Sequence, residues 1–206
     1  MKNQPIKEEQ INKDKMPKKG KILVLSAPSG SGKSTIIAEL MKDPSLRLDF
    51  SISATSRPPR GNEQHGKEYF FLTEEEFKKN VEEGNFVEWE EVYAGVCYGT
   101  LESEVKRITE NGNNLIMDVD VKGALNIKER FGDEALLIFV MPPDKKTLEE
   151  RLRKRGTDSE ETILKRLHKS EYEMSFSEKF DFVVVNDNLE DAVKKVETRI
   201  KNFIDR

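Results

Sequence analysis

The run Ala27-Pro-Ser-Gly-Ser-Gly-Lys-Ser-Thr35 gathers the residue types that hold a phosphate. Gly30 and Gly32 let the backbone curl so that successive N–H groups point at one anion. A helix starting behind them adds its unpaired N–H groups and the positive end of its dipole. Lys33 is then placed to reach the β and γ phosphates of a nucleotide, and the Ser34 hydroxyl to ligate a Mg²⁺ that bridges them. The strict pattern asks for glycine six residues before the lysine, where this chain has Ala27. Alanine there removes backbone freedom but no phosphate contact. Pro28, Ser29, Ser31 and Thr35 complete the loop. The apolar segment Ile22–Ser26 before it and the helical pattern Ile36–Met41 after it give the strand–loop–helix context of a P-loop.

Two further groups of residues carry chemistry. In Ser53–Tyr69, Arg57 and Arg60 flank two prolines that stiffen the chain and hold both guanidinium groups outward. Two rigid forks suit one phosphate monoester, with Tyr69 adding a hydroxyl donor. A solvated basic turn is the competing reading. The apolar run Leu115–Val119 then carries Asp118 and is followed by Asp120, where a P-loop fold places its metal-side carboxylate. If the strand continues, the two acids alternate in direction, and Asp120 is either an outer partner of Mg²⁺ or the cap of the next helix. His65, in a glycine-flanked turn, and His168, on a charged helix, read as local structure.

The elements that must position these residues alternate. Ile22–Ser26, Leu115–Val119, Ala135–Met141 and Phe182–Val185 read as buried parallel strands. Helical patterns lie at Leu101–Asn111, Val121–Arg130 and Leu189–Ile204, giving an α/β layer fold. Two stretches interrupt it. Residues 51–100 carry short strand-like pieces around Tyr69–Leu72 and Phe86–Tyr93 with a helix at Glu74–Glu83, an inserted subdomain with a small sheet of its own. Residues 144–174 read as a charged helical hairpin, its second helix capped by Asp158 or Ser159. The expected division is a tail at 1–19, disordered by its polar, lysine-rich composition, and a P-loop core at 20–50, 101–143 and 175–206. The insertion and the hairpin are mobile appendages on that core.

Charged residues are 36% of the 206, yet the net charge is only −4, which argues against a general nucleic-acid binder. No apolar run approaches membrane-spanning length. One cysteine, Cys97, allows neither an intramolecular disulfide nor a cysteine zinc cluster, and the chain fits a reducing cytoplasm.

From Lys21 to Arg206 the chain resembles guanylate kinases. The motifs fall in order: SAPSGSGKST, SATSRPPRGNEQHGKEYFF, FVEWEEVYAGVCYGT, LIMDVDVKGA, then RGTDSEETILKRL and VVVND. The resemblance implies a three-layer P-loop core with a small mixed-sheet GMP-binding subdomain and a helical lid. It implies that Arg57, Arg60, Tyr69 and Tyr98 hold the GMP phosphate. Glu88 and Asp118 would accept from guanine N1–H and N2–H₂, with Ser53 and Thr100 near O6 and N7. Among the lid cations it singles out Arg151, Arg155 and Arg166 as groups that close on the transferring phosphoryl. Cys97 stands where the family often has an aromatic residue, which reads as a packing change, and Trp89 reads as an anchor of the small subdomain.

The expected activity is therefore Mg²⁺-assisted, in-line transfer from ATP to GMP in purine nucleotide metabolism, with Lys33, Arg155, Arg166 and Arg151 as the catalytic cations. ATP and GMP are the expected partners, with no nucleic acid, membrane or obligate protein partner. The alternatives are a non-catalytic guanylate-kinase-like interaction module, in which P-loops are often eroded, and a kinase for another small phosphate acceptor. A regulatory GTPase would need an Asn-Lys-x-Asp motif, which is absent.

Overall fold

The computed structural model describes residues 18–206 other than Ala94, Arg155 and Thr157. The tail expected at 1–19 therefore lies outside the described residues up to Pro17, and Arg155 lies outside them as well. In chain order the elements are β1 (Ile22–Ser26), α1 (Lys33–Leu40), β2 (Leu48–Phe50), β3 (Ala54–Thr55), β4 (Phe70–Phe71), α2 (Glu74–Glu82), β5 (Phe86–Tyr93) and β6 (Val96–Leu101). They continue with α3 (Glu102–Glu110), β7 (Asn114–Asp118), α4 (Val121–Phe131), β8 (Ala135–Met141), α5 (Lys145–Lys154), α6 (Glu160–Met174), β9 (Phe182–Val185) and α7 (Leu189–Ile204).

Five strands form one parallel sheet in the order β2-β7-β1-β8-β9. Its central strands β7, β1 and β8 are apolar on both faces because helices cover both. β9, expected to be a buried strand, lies at the sheet edge, where α7 covers one face and Val183 and Val185 stay exposed. Ile22, Val24, Leu115, Met117, Leu137 and Phe139 face α3 and α4. The alternate residues Leu23, Leu25, Ile116, Ile138 and Val140 face α1 and α7. This is the three-layer α/β core. β2 is a strand that hydrophobic runs do not reveal: it is three residues long with Asp49 at its centre, and none of the three is fully buried.

A second sheet, in the order β4-β3-β6-β5, is mixed, with β3–β4 parallel and the other pairs antiparallel. Its core is Ala54, Phe77 and Phe86, with the Phe77 and Phe86 rings stacked at 4.4 Å. Trp89 is 48% exposed and meets Phe77 only edge-on, so Phe77 and Phe86 provide the anchor expected of Trp89. α2 begins with a full capping box between Thr73 and Glu76.

Polar links join the two sheets. The Ile52 amide donates to buried Glu104 at the start of α3 (3.1 Å), and Arg130 of α4 donates to the Phe86 carbonyl (2.8 Å). Asn114, 2% exposed, ties three segments together: its Oδ1 accepts from Lys21 N, its Nδ2 donates to Leu46 O, and its amide donates to Arg47 O. Asn114→Leu would keep the volume but orphan the Lys21 N–H and the Leu46 carbonyl. A loss of about 2–5 kcal/mol in urea denaturation is expected. A loss below about 1 kcal/mol would show that water replaces both partners.

Candidate active site

The loop after β1 ends at the centre of the parallel sheet, where chain connections diverge to either side and ligands collect at the carboxyl ends of strands. Gly30 and Gly32 adopt φ of 94° and 92°, the left-handed region that glycine tolerates, and Gly32 caps α1. Space adds a second reason for both. A Cβ at Gly32 would lie 2.3 Å from Nδ2 of Asn186, and one at Gly30 would press on Leu148 and Leu152 of α5 at 3.1 Å. The Asn186 side chain, buried at the end of β9, donates to the Ser31 carbonyl (2.7 Å) and holds the loop from beneath.

In the parallel register Asp118 lies beside Leu25, one residue before the strand gives way to the loop. Lys33 and Asp118 consequently form an ion pair. β7 stops at Asp118, so the expected alternation of Asp118 and Asp120 along a continuing strand does not occur. Asp120 instead caps α4, accepting from the Gly123 amide at 2.7 Å.

β5 brings Glu88 to the same place through a break in its register. Phe86 pairs with Leu101 but Glu88 with Thr100, so Val87 is an extra residue in the ladder. Such a bulge re-aims the side chains around it. Phe86 stays in the small core, Val87 enters the main core beneath α4, and Glu88 turns into the cleft. The Thr100 hydroxyl donates to Glu88 Oε1 (2.7 Å). Burial pushes the Glu88 carboxyl above its ordinary 4.5, aided by the charge of Asp120 and opposed by the Thr100 bond.

The result is one cleft of about 430 Å³. Ser29, Gly30, Gly32, Lys33, Ser34 and Thr35 form one wall, with Ala27 and Pro28 at its base. Glu88, Tyr98 and Gly99 of the second sheet, with Ser53 just before β3, form the other, and Asp118 and Asp120 lie between. Ser31 turns away, its side chain buried.

The arginine pair is placed unevenly. Arg57, 7% exposed, lies over the Tyr69 ring at 5.0 Å and donates through Nε to the Tyr98 hydroxyl (3.1 Å). Its fork is taken by Glu63, at 2.6 and 2.8 Å. That pairing, with the Arg60 amide as a further donor, draws Glu63 down to about 2. The Arg60 side chain is exposed. In the hairpin, Arg166 of α6 donates to Ser29 (2.7 Å) and reaches Asp158, so Ser159, the other expected cap, begins that helix. Arg151 stands on the far side of the loop, bonded to the Asn186 carbonyl (2.9 Å), and its buried Nη1 has no partner among the described residues. There it shares a second cavity of about 300 Å³ with Gly30, Thr35, Asn186 and Asp187.

The family model for guanylate kinase matches residues 19–203. The chain belongs to the guanylate kinase family. It is 53% identical over 184 residues to a guanylate kinase of Porphyromonas gingivalis, covering 89% of this chain and 98% of that one. A guanylate kinase of Thermotoga maritima is 46% identical over 187 residues, covering 89% and 87%. A solved guanylate kinase from Anaplasma phagocytophilum superposes with a TM-score of 0.68 at 28% identity, covering 93% and 89%.

Glu63, Asn186 and Glu173 are site residues that sequence reasoning passed over. Glu63 had a local signal, an acid three residues beyond Arg60 in a segment chosen for its cations. Asn186 lay within the VVVND motif, and only its burial shows the load it carries. Glu173, on a helix dense in charge, gave no signal; it is 8% exposed and lines the cleft. His65 accepts from the Phe71 amide and His168 is exposed, while burial raises the Cys97 thiol, the opposite of activation.

The ionised Glu88 offers acceptors to both guanine donors, whereas the protonated acid turns one oxygen into a donor, and burial holds this carboxyl above its ordinary value. GMP affinity should therefore weaken as pH falls through that raised value, before ordinary carboxylates protonate. Glu88→Gln should bind weakly at every pH and lose this dependence. Calorimetric titration of GMP into both proteins across the acid range checks it, and parallel pH profiles would remove Glu88 from base recognition.

Proposed function

We propose that this chain transfers the γ-phosphoryl group of ATP to GMP, giving ADP and GDP. The observation that carries the reading is the single cleft in which a P-loop and the guanine-matched carboxylates Glu88 and Asp118 share walls. Guanine presents two adjacent donors beside one acceptor; carboxylates match the donors and a hydroxyl matches O6. Thr100 already spends its one proton on Glu88, so it orients that carboxylate and Ser53 is left to serve O6. Adenine would offer the carboxylates an acceptor N1 and no 2-amino group, a mismatch that such a site rejects by roughly 10⁴-fold.

The GMP phosphate would take Arg57 from Glu63, joined by Arg60, Tyr69 and Tyr98. The ATP phosphates would take Lys33 from Asp118, freeing that acid for the base. Lys33 and Arg57 thus each keep an internal anion until the substrate arrives. The second cavity, with the unpartnered Nη1 of Arg151, suits the remainder of ATP. Arg151 is then a binding group rather than one that meets the transferring phosphoryl.

The site fits a divalent cation. Its lining holds Glu88, Glu90, Asp118, Asp120 and Glu173 against Lys33, so nucleotide phosphates enter a wall that is already acidic. The Ser34 hydroxyl, exposed at the start of α1, would ligate the cation, and Asp120 would act on its water shell. Mg²⁺, when bound, would supply charge neutralisation at the β and γ phosphates.

The acceptor is an anionic phosphate and needs no strong base. Positioning and charge dispersal carry the rate, with water excluded as the walls approach. Arg166 already stands on the P-loop at Ser29, and Arg155 is proposed to join it on the transferring group. A reducing cytoplasm, where free nucleotides are abundant, suits this activity. None of the described helices is long and apolar enough to cross a membrane.

ADP formation from Mg·ATP should occur with GMP and fall to background with AMP, UMP or CMP, and Lys33→Ala should abolish it. Turnover on another acceptor would keep the P-loop reading and overturn base recognition. GMP binding without turnover would favour an interaction module. Arg166→Ala should lower kcat by about 10³-fold with little change in the KM for GMP, as removal of a charge-dispersing arginine does. An unchanged kcat would remove Arg166 from the transfer step.

A further inference from the structure

Glu173 is a buried carboxylate that phosphate and base binding, as derived above, leave without a task. It sits in the last turn of α6, where the negative end of the helix dipole makes an acid unfavourable. It is 8% exposed, although a buried charge needs a partner. Among the described residues its partner is Lys169, one turn back, at 3.7 Å, and that lysine is itself 63% exposed. Burial raises the Glu173 carboxyl, and the charges of Lys33 and Asp120 are both felt there. Helix stability does not explain such a residue. Its position in the cleft does: Glu173 lines the same space as Lys33, Ser34 and Asp120.

We propose that Glu173 is a positioning residue for the metal–triphosphate unit, accepting hydrogen bonds from the water shell of the divalent cation opposite Ser34 and Asp120. This rests on the phosphoryl-transfer reading above. Contact through water is what a Mg²⁺ held mainly by nucleotide phosphates favours, and no three acids among the described residues form a ready-made protein cage for it. A carboxylate that approaches but does not ligate is the usual outer partner of a hydrated Mg²⁺, which gives up its waters reluctantly. The placement has a consequence for the lid. Glu173 and Arg166 lie two turns apart on α6, and Arg166 holds the P-loop at Ser29. One helix would then carry both a sensor for the metal and a cation for the phosphoryl group, so α6 would seat fully only over ATP that has its metal.

The charge of Glu173 gives the test its sign. Facing phosphates without a metal, it repels them; facing a hydrated cation, it attracts. Glu173→Gln should therefore bind metal-free ATP more tightly than the unaltered protein and Mg·ATP no more tightly. The ratio of the two dissociation constants, measured by calorimetry with EDTA or with excess Mg²⁺, should fall by about tenfold, the lower end for loss of an outer-shell partner. Loss of packing alone would move both constants the same way and leave the ratio unchanged, which overturns the proposal. Thermal unfolding checks that the variant folds. Should it not, Glu173→Asp, which retracts the carboxylate by one methylene, must lower the ratio, and an unchanged ratio again overturns the proposal. Unaltered protein that binds ATP in neither condition would sink the phosphoryl-transfer reading itself, whereas normal binding with an unchanged ratio in the variant sinks only the role of Glu173.

Discussion

The ion pair between Lys33 and Asp118 spans the seam on which the site is built. Lys33 is the first residue of α1 and Asp118 the last of β7, adjacent only because β1 and β7 run parallel in a register that sets Leu25 beside Asp118. A P-loop concentrates positive potential: a lysine, a helix N-terminus and a ring of amides. Without an anion such a place is costly to bury, and Asp118 supplies one. The arrangement sets the order of the rest, since the sheet must hold the two residues at ion-pair distance and the loop must curl around the lysine.

The same solution recurs at two of the arginines. Arg57 is held by Glu63 and Arg166 by Asp158. Arg151 rests on a backbone carbonyl. A folded protein meant to receive two phosphates must store several cations close together, and unpaired they would repel. Partnering Lys33, Arg57 and Arg166 with internal anions keeps the empty site stable. It also makes a stray single anion a poor ligand, because displacing an internal carboxylate is favourable only for a group with more charge or better geometry. A phosphate monoester offers both to a guanidinium fork.

How much of this was legible in the sequence depended on distance along the chain. The P-loop is local: nine consecutive residues state their own geometry, and a strand and helix on either side state its context. The central strands were legible because a parallel sheet covered on both faces needs unbroken apolar runs, and Ala135–Met141 is one. Phe182–Val185 has the same apolar run but forms the half-exposed edge strand β9, because sequence pattern does not show where a sheet ends. β2 was not legible, because an edge strand of three residues with Asp49 at its centre carries no such run. Asp120 showed its type but not its direction, since where β7 ends is decided by the cap on α4. Asn186 is the extreme case. Its side chain matters through contact with Ser31, 155 residues away, and nothing near it in sequence refers to that loop.

The two sheets are joined in a manner that suits relative movement. Apart from Val87, which β5 sends into the main core, the links identified between them are polar: Glu104 to the Ile52 amide, and Arg130 to the Phe86 carbonyl. Apolar interdigitation resists sliding because it loses many contacts at once, whereas a few hydrogen bonds at chain crossings can pivot. Any such movement would be pinned at Val87, and the residue after it is Glu88. A rotation about that point would move Arg57, Tyr69 and Tyr98 far more than Glu88. Base recognition would then stay registered with Asp118 while the phosphate end swings toward the P-loop. The bulge at Val87 thus serves two ends, turning Glu88 into the cleft and placing the pivot beside the group that must move least.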